Sequence, residues 1–270
     1  MIADFHNYVL PSANREKLLK DYSESENKIV CAFFKGARTI ETAYTVSKNF
    51  LEKRSSNLYL AFEDISYTDN LAKFKKLIDL NPVYVTLTWN NQNIFAGGAS
   101  SEGGLTPLGR KLIKLLNEKG VTIDLAHLNE RSYFEVLSLA DKAVCSHTCF
   151  SKVNAHARNI SAEQISALIQ KDGNALIGLT FYRPFLTKEK EANIDDIIRH
   201  VDYFCENFPS KNLCIGTDFN GCEDLPSGFS DYSFEVSLKT ALLERGYGET
   251  TVNGILCENL SRYLSAKDKN

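Results

Sequence analysis

Residues 123–158, IDLAHLNERSYFEVLSLADKAVCSHTCFSKVNAHAR, read as strand, helix, strand and loop. An apolar run of strand length over 121–125 leads to His127, a helical pattern covers 129–141, and a second run over 143–146 leads to His147. Arg158 follows in the next loop. Two successive parallel strands, each closed by an imidazole, are how an α/β barrel brings distant residues onto one metal, because the C-terminal ends of its strands converge.

Working outward, the same alternation continues in both directions. Strand-length apolar runs cover 2–7, 28–34, 58–62 and 83–88 upstream, and 175–181 and 213–217 downstream. Helical spacing covers 39–51, 71–80, 105–119, 161–170 and 194–208, and the tail 234–264 holds two or three further helices. Pro11 and Ser12 read as the opening of a helix after the first strand, and Gly120 as the cap that ends helix 105–119. Eight short strands alternating with helices predict an α/β fold of the (β/α)8 barrel type, with 1–270 as a single domain. A chain of 270 residues suits that fold, which typically takes about 250. The Gly/Asn/Ser-rich stretch 90–104, NNQNIFAGGASSEGG, interrupts no alternation and reads as a loop on the active face. It carries no Gly-x-x-x-x-Gly-Lys phosphate loop.

A formal net charge of −3 offers no electrostatic footprint for nucleic acid. No apolar run reaches the roughly 18 residues of a membrane span, and the first residues lack the charged-then-apolar pattern of a signal peptide. Seven cysteines, an odd number without dense spacing, predict buried thiols in a reduced, cytoplasmic compartment.

Five strands end in a group able to bind metal or move a proton: His6, Glu63, His127, His147 and Asp218. A lone histidine at a strand end is more often a structural hydrogen-bonder than a ligand. Three of only five histidines at strand ends reverse that expectation. Of the other two, His200 lies late in a helix and reads as a surface or capping residue, and His156 reads either way. In CSHTC (145–149), strand alternation puts Cys145, His147 and Cys149 on one side, a minor rival for a thiolate–imidazole site.

With these residues in place, the chain resembles the membrane (renal) dipeptidase family, the M19 metallopeptidases. The resemblance is carried by DFHNYVLP (4–11), YVTLTWNNQN (84–93), GLTPLGRKLIKLLNEKGVTIDLAHLNE (104–130), CSHTCFSKVNAHARNISAEQI (145–165), IGTDFNG (215–221) and ALLERGYGE (241–249). It implies a zinc-dependent barrel that cleaves a dipeptide or small amide by metal-activated water. Two zincs would share a bridging carboxylate that falls on Glu63. His127 and His147 would complete one site, and His6 with Asp218 the other. Asp218 is also the implied proton-transfer group, and Arg158 the implied grip on the substrate carboxylate, for which a planar guanidinium fork is suited. A homodimer is a further implication.

Two positions depart from the family pattern. The first strand has His6-Asn7-Tyr8 where the family has His-x-Asp. A neutral phenol is a poor zinc ligand, so one ion is expected, with a weaker second. After Leu87-Thr88 the family has a histidine that polarises the scissile carbonyl; here Trp89 stands, whose indole donates one N–H and cannot act as an acid or base. Tyr8 and Trp89 are therefore expected to line the substrate pocket. They also favour two alternatives: a barrel that binds a peptide or metabolite without turnover, and a specialised biosynthetic hydrolase.

Overall fold

The structure is a computed structural model that describes residues 1–267; the last three residues of the expected domain lie outside them. Eight parallel strands follow one another in sequence order around a closed barrel. They are β1 (Ala3–Asn7), β2 (Lys28–Phe34), β3 (Leu58–Glu63), β4 (Tyr84–Thr86), β5 (Thr122–Asp124), β6 (Ala143–Thr148), β7 (Ile177–Leu179) and β8 (Leu213–Ile215). The helices are α1 (Arg15–Ser23), α2 (Ile40–Lys53), α3 (Lys75–Ile78), α4 (Pro107–Glu118), α5 (Glu130–Leu139), α6 (Ala162–Lys171), α7 (Arg183–Leu186), α8 (Ile194–Asn207), α9 (Phe234–Glu244), α10 (Glu249–Asn253) and α11 (Asn259–Lys267). A strand covered on both faces has no reason to alternate. Accordingly β1, β3 and β6 are buried along their whole length.

Two compact units divide the chain. The first contains β1, the start of β2 and everything from Cys145 onward. Within it β8 pairs with β1 (Asp4 opposite Ile215) and with β7 (Ile177 opposite Leu213). The rings of Phe181, Phe229 and Phe234 pack behind these strands, with centroids 4.9–5.3 Å apart. Capping boxes open α6 (Ser161 with Gln164) and α8 (Asn193 with Asp196). The second unit contains 8–25 and 30–144. There β4 pairs with β3 (Phe62 opposite Val85) and with β5 (Val85 opposite Ile123). Thr106 caps α4, Pro107 occupies its first turn, and Leu112, Ile113 and Leu116 are its buried face.

Several boundaries differ from the sequence reading. The stretch 71–80 is two single turns, a 3-10 turn at Leu71–Phe74 and α3. Asn81, in the left-handed region at φ 52°, ends it before Pro82. The first helix starts at Arg15, after a turn in which Ser12 N–H donates to the Val9 carbonyl. Gly120 follows α4 at φ 65°, where a side chain would be strained, and its N–H donates to the Asn117 carbonyl.

His200 is a correction. It is completely buried rather than at the surface. Its Nδ1 accepts from the Phe150 N–H at 3.2 Å, and its Nε2 lies 3.1 Å from the Leu186 carbonyl. That arrangement needs a neutral ring, and burial lowers its pKa to about 4.

Candidate metal centre

In the first unit, β1 and β6 bring His6 and His147 face to face, with ring centroids 3.8 Å apart and planes inclined by 34°. Asp218, just beyond β8, places Oδ1 3.9 Å from His6 Nε2. One ligand atom from each of His6, His147 and Asp218 lies within 4.8 Å of the others. Two imidazoles and a carboxylate are hard-to-borderline donors that suit zinc. On its chemistry and spacing this donor set fits a divalent metal.

Ser146 organises the pair. Its Oγ lies 2.8 Å from His147 Nδ1 and 3.4 Å from His6 Nδ1. Strict strand alternation would send Ser146 and His147 to opposite faces. The pairing of β6 with β7 shifts register between Cys145 and Thr148, which breaks the alternation locally. Gly178 and Gly216 leave room for this kink: a Cβ on either would sit about 2 Å from the Ser146 carbonyl oxygen, at 1.9 and 2.1 Å. A hydroxyl on Nδ1 orients each ring and favours Nε2 as its ligating edge.

Asp218 is held in the left-handed region at φ 65°, and its N–H donates to the His6 carbonyl at 3.0 Å. A non-glycine residue there carries a cost of about 1–2 kcal/mol, a sign that position rather than stability selects it. Behind it, Asp4 accepts from the Thr217 N–H at 2.8 Å, the Thr217 hydroxyl at 2.7 Å and the Tyr232 hydroxyl at 2.5 Å. Burial raises the Asp4 pKa, and the hydrogen bonds from Tyr232 and Thr217 act against that rise.

Arg158 is 6% exposed. Its Nη2 donates to the His147 carbonyl at 3.3 Å, and its guanidinium lies over the Phe185 ring at 5.3 Å. Its N–H donates to His156 Nδ1 at 3.1 Å, while the exposed His156 ring packs on Phe185 at 4.6 Å. Cys149 donates its thiol to the Thr180 carbonyl, and burial pushes its pKa well up, so it is not poised as a thiolate ligand. Among the described residues, neither Cys145 nor Cys149 belongs to a cluster with metal-binding spacing.

The second unit holds a different arrangement. Glu63, at the end of β3, is fully buried; its Oε1 lies 2.7 Å from His127 Nε2. His127 is also left-handed, at φ 69°, and its Nδ1 lies 2.8 Å from Asn90 Oδ1. Tyr8 donates its hydroxyl to Glu63 Oε2. The phenol thus stands against the carboxylate and brings no carboxylate of its own. Trp89, 40% exposed, has its ring 6.0 Å from His127 and 5.4 Å from Phe34.

Sequence reading missed Ser146, Asn90, Asp4 with Tyr232, and Phe34. Asn90 and Ser146 each sit next to a residue that was singled out, Trp89 and His147. Nothing local marks the others.

The model of the membrane dipeptidase family, peptidase family M19, matches residues 14–270. The chain belongs to this family. Among curated relatives, an uncharacterised dipeptidase of Schizosaccharomyces pombe is 29% identical over 195 residues, which is 70% of this chain and 47% of the relative. The dipeptidase tcpJ of Claviceps purpurea is 28% identical over 188 residues, 67% of this chain and 44% of that protein. The chain thus matches a little under half the length of these curated relatives. The crystal structure of the dipeptidase AC, an M19 metallopeptidase, superposes with a TM-score of 0.85 at 21% identity, covering 98% of this chain and 97% of the other. A Rhodobacter sphaeroides metallopeptidase bound to a phosphinate mimic of L-Ala-D-Ala gives 0.81 at 18%, covering 98% of both chains. At these identities the structures establish the shared fold.

Proposed function

We propose that this member of the M19 family is a zinc-dependent hydrolase of a dipeptide or small amide. The observation that carries the reading is the approach of His6, His147 and Asp218 ligand atoms to within 4.8 Å of one another. In the first unit His6, His147 and Asp218 would hold one ion; in the second, Glu63 and His127 are the further donors that the family pattern names, for a weaker ion. When bound, zinc supplies Lewis acidity toward the scissile carbonyl and brings the acidity of water near neutrality. Asp218 accepts a proton from the attacking water and passes it to the leaving amine. Arg158 holds the substrate carboxylate, its guanidinium kept in place by the His147 carbonyl and the Phe185 ring. Ser146 and Asn90 fix the orientation of the ligand imidazoles.

One ion is the expected resting content, because Tyr8 occupies Glu63 Oε2 and brings no carboxylate. Metal analysis of purified protein is expected to give about one zinc per chain, rising toward two in Tyr8→Asp. Assays of a dipeptide panel with added zinc test turnover. If no dipeptide is cleaved and yet the zinc-loaded protein binds one, the alternative of a binding barrel, which Tyr8 and Trp89 favour, replaces this reading.

A reducing, cytoplasmic location is part of the proposal, on the odd number and sparse spacing of the seven cysteines. No helix among the described residues is long and apolar enough to cross a membrane. A single domain over 1–270 and a homodimer complete the proposal; light scattering of the purified chain tests the latter.

A further inference from the structure

The second unit contains a run of rings, of which Phe34 and Trp89 have no part in the proposed chemistry. Tyr8 meets Phe34 edge to face at 5.7 Å, Phe34 meets Trp89 at 5.4 Å, and Trp89 meets His127 at 6.0 Å. Tyr8 and His127, at its two ends, are 8% and 5% exposed. Trp89, between them, is 40% exposed, so the run presents an indole to solvent beside a strand-end imidazole.

A hydrogen-bonded turn places the backbone of Trp89. The Thr88 hydroxyl donates to the Trp89 carbonyl at 3.1 Å, and Ser100 N–H donates to the Asn90 carbonyl at 2.7 Å. Gly98 passes so close that a Cβ there would lie 2.0 Å from the Trp89 carbonyl oxygen. The adjacent Asn90 holds His127 Nδ1. One turn therefore anchors the backbone of Trp89 and orients the imidazole, and the Phe34 ring lies against the indole. An aromatic surface held this way loses little conformational entropy when it is covered, and it favours a planar partner through offset or edge-to-face packing.

We infer that Trp89, backed by Phe34, is a specificity wall that packs against an aromatic side chain of the substrate, making the preferred substrate a dipeptide with a phenylalanine-like residue. This rests on the dipeptidase reading above. Discrimination of about tenfold or more over an alanine side chain is expected, from added apolar burial and ring geometry.

Trp89 is the only tryptophan in the chain, so its fluorescence reports the wall directly. The zinc-supplemented full chain is assayed with Ala-Ala, Phe-Ala and Ala-Phe, and each dipeptide is titrated under selective tryptophan excitation. The proposal expects Phe-Ala or Ala-Phe to exceed Ala-Ala about tenfold in kcat/KM and to shift the emission. Trp89→Ala should bring that ratio close to one, and Trp89→Phe should retain most of it. Comparable kcat/KM for all three dipeptides in the unmodified chain overturns the wall, as does an undiminished ratio in folded Trp89→Ala. If nothing is cleaved, the dipeptidase reading fails by itself. In that case the wall stands if a phenylalanine dipeptide still shifts Trp89 emission and Ala-Ala does not, and falls if neither does.

Discussion

The His6–His147–Asp218 region and the Tyr8–Glu63–His127 region sit at strand ends of the same kind, yet they are supported differently. The first is surrounded by hydroxyls and a carboxylate network: Ser146 on both imidazoles, and Thr217 and Tyr232 on Asp4 behind Asp218. The second is surrounded by rings, with a phenol on the carboxylate and an indole beside the imidazole. Polar support keeps ligand lone pairs oriented outward from a fixed frame. Aromatic support gives up donor atoms and gains apolar surface. The contrast teaches that the two halves of the family pattern are built differently: one sets imidazole and carboxylate donors in a polar frame, while the other sets them among rings.

The largest effect that can break this comparison is on Asp218. Asp218→Asn keeps the size of the side chain and removes its basicity. A fall in kcat of about 10²–10⁴ is expected for loss of a general base, with the circular dichroism spectrum unchanged. Retention of full turnover would remove Asp218 from proton transfer and leave the first region only a ligand role.

A second, smaller effect concerns His200, a buried histidine outside the candidate centre. His200 has its pKa lowered to about 4 by burial, against 6.5 for the free side chain. Between those values the unfolded chain binds a proton that the folded chain does not. The contribution of neutral His200 is therefore complete above pH 6.5 and is lost as pH falls toward 4. The span corresponds to about 3 kcal/mol. Urea unfolding at pH 7 and at pH 4 should show this extra acid loss in the unmodified chain and not in His200→Gln. Equal losses would mean that His200 accepts its proton in the folded state.

The smallest effect sharpens the other side of the comparison. Tyr8→Phe keeps the ring on Phe34 and removes the hydroxyl from Glu63. In metal-free protein a loss of about 1–2 kcal/mol is expected, since a buried carboxylate loses a donor. Denaturant midpoints without and with zinc check this, and an unchanged metal-free midpoint would show that the phenol does not restrain Glu63.

Much of this molecule was legible in the chain itself. Apolar runs punctuated by helical spacing identified the barrel, and its convergent strand ends picked out His6, Glu63, His127, His147 and Asp218 without any contact information. Those signals are local, set by backbone periodicity and by which residue follows a strand. The departures at Tyr8 and Trp89 were visible only against the family pattern that the chain resembles.

What the chain could not reveal was the company these residues keep. His200 looked like a helix-surface residue because its spacing cannot show that the Phe150 N–H and the Leu186 carbonyl close around it. Ser146 looked like the wrong face of a strand until the register shift in β6 turned it toward both imidazoles. The left-handed backbone at His127 and Asp218 also has no signature in the residue types. Sequence by itself determined the barrel and the donor types at its strand ends, because periodicity and strand termination are properties of neighbouring residues. Only the tertiary structure decided which atoms support each donor, because hydrogen bonds such as Thr217 to Asp4 join residues more than two hundred positions apart.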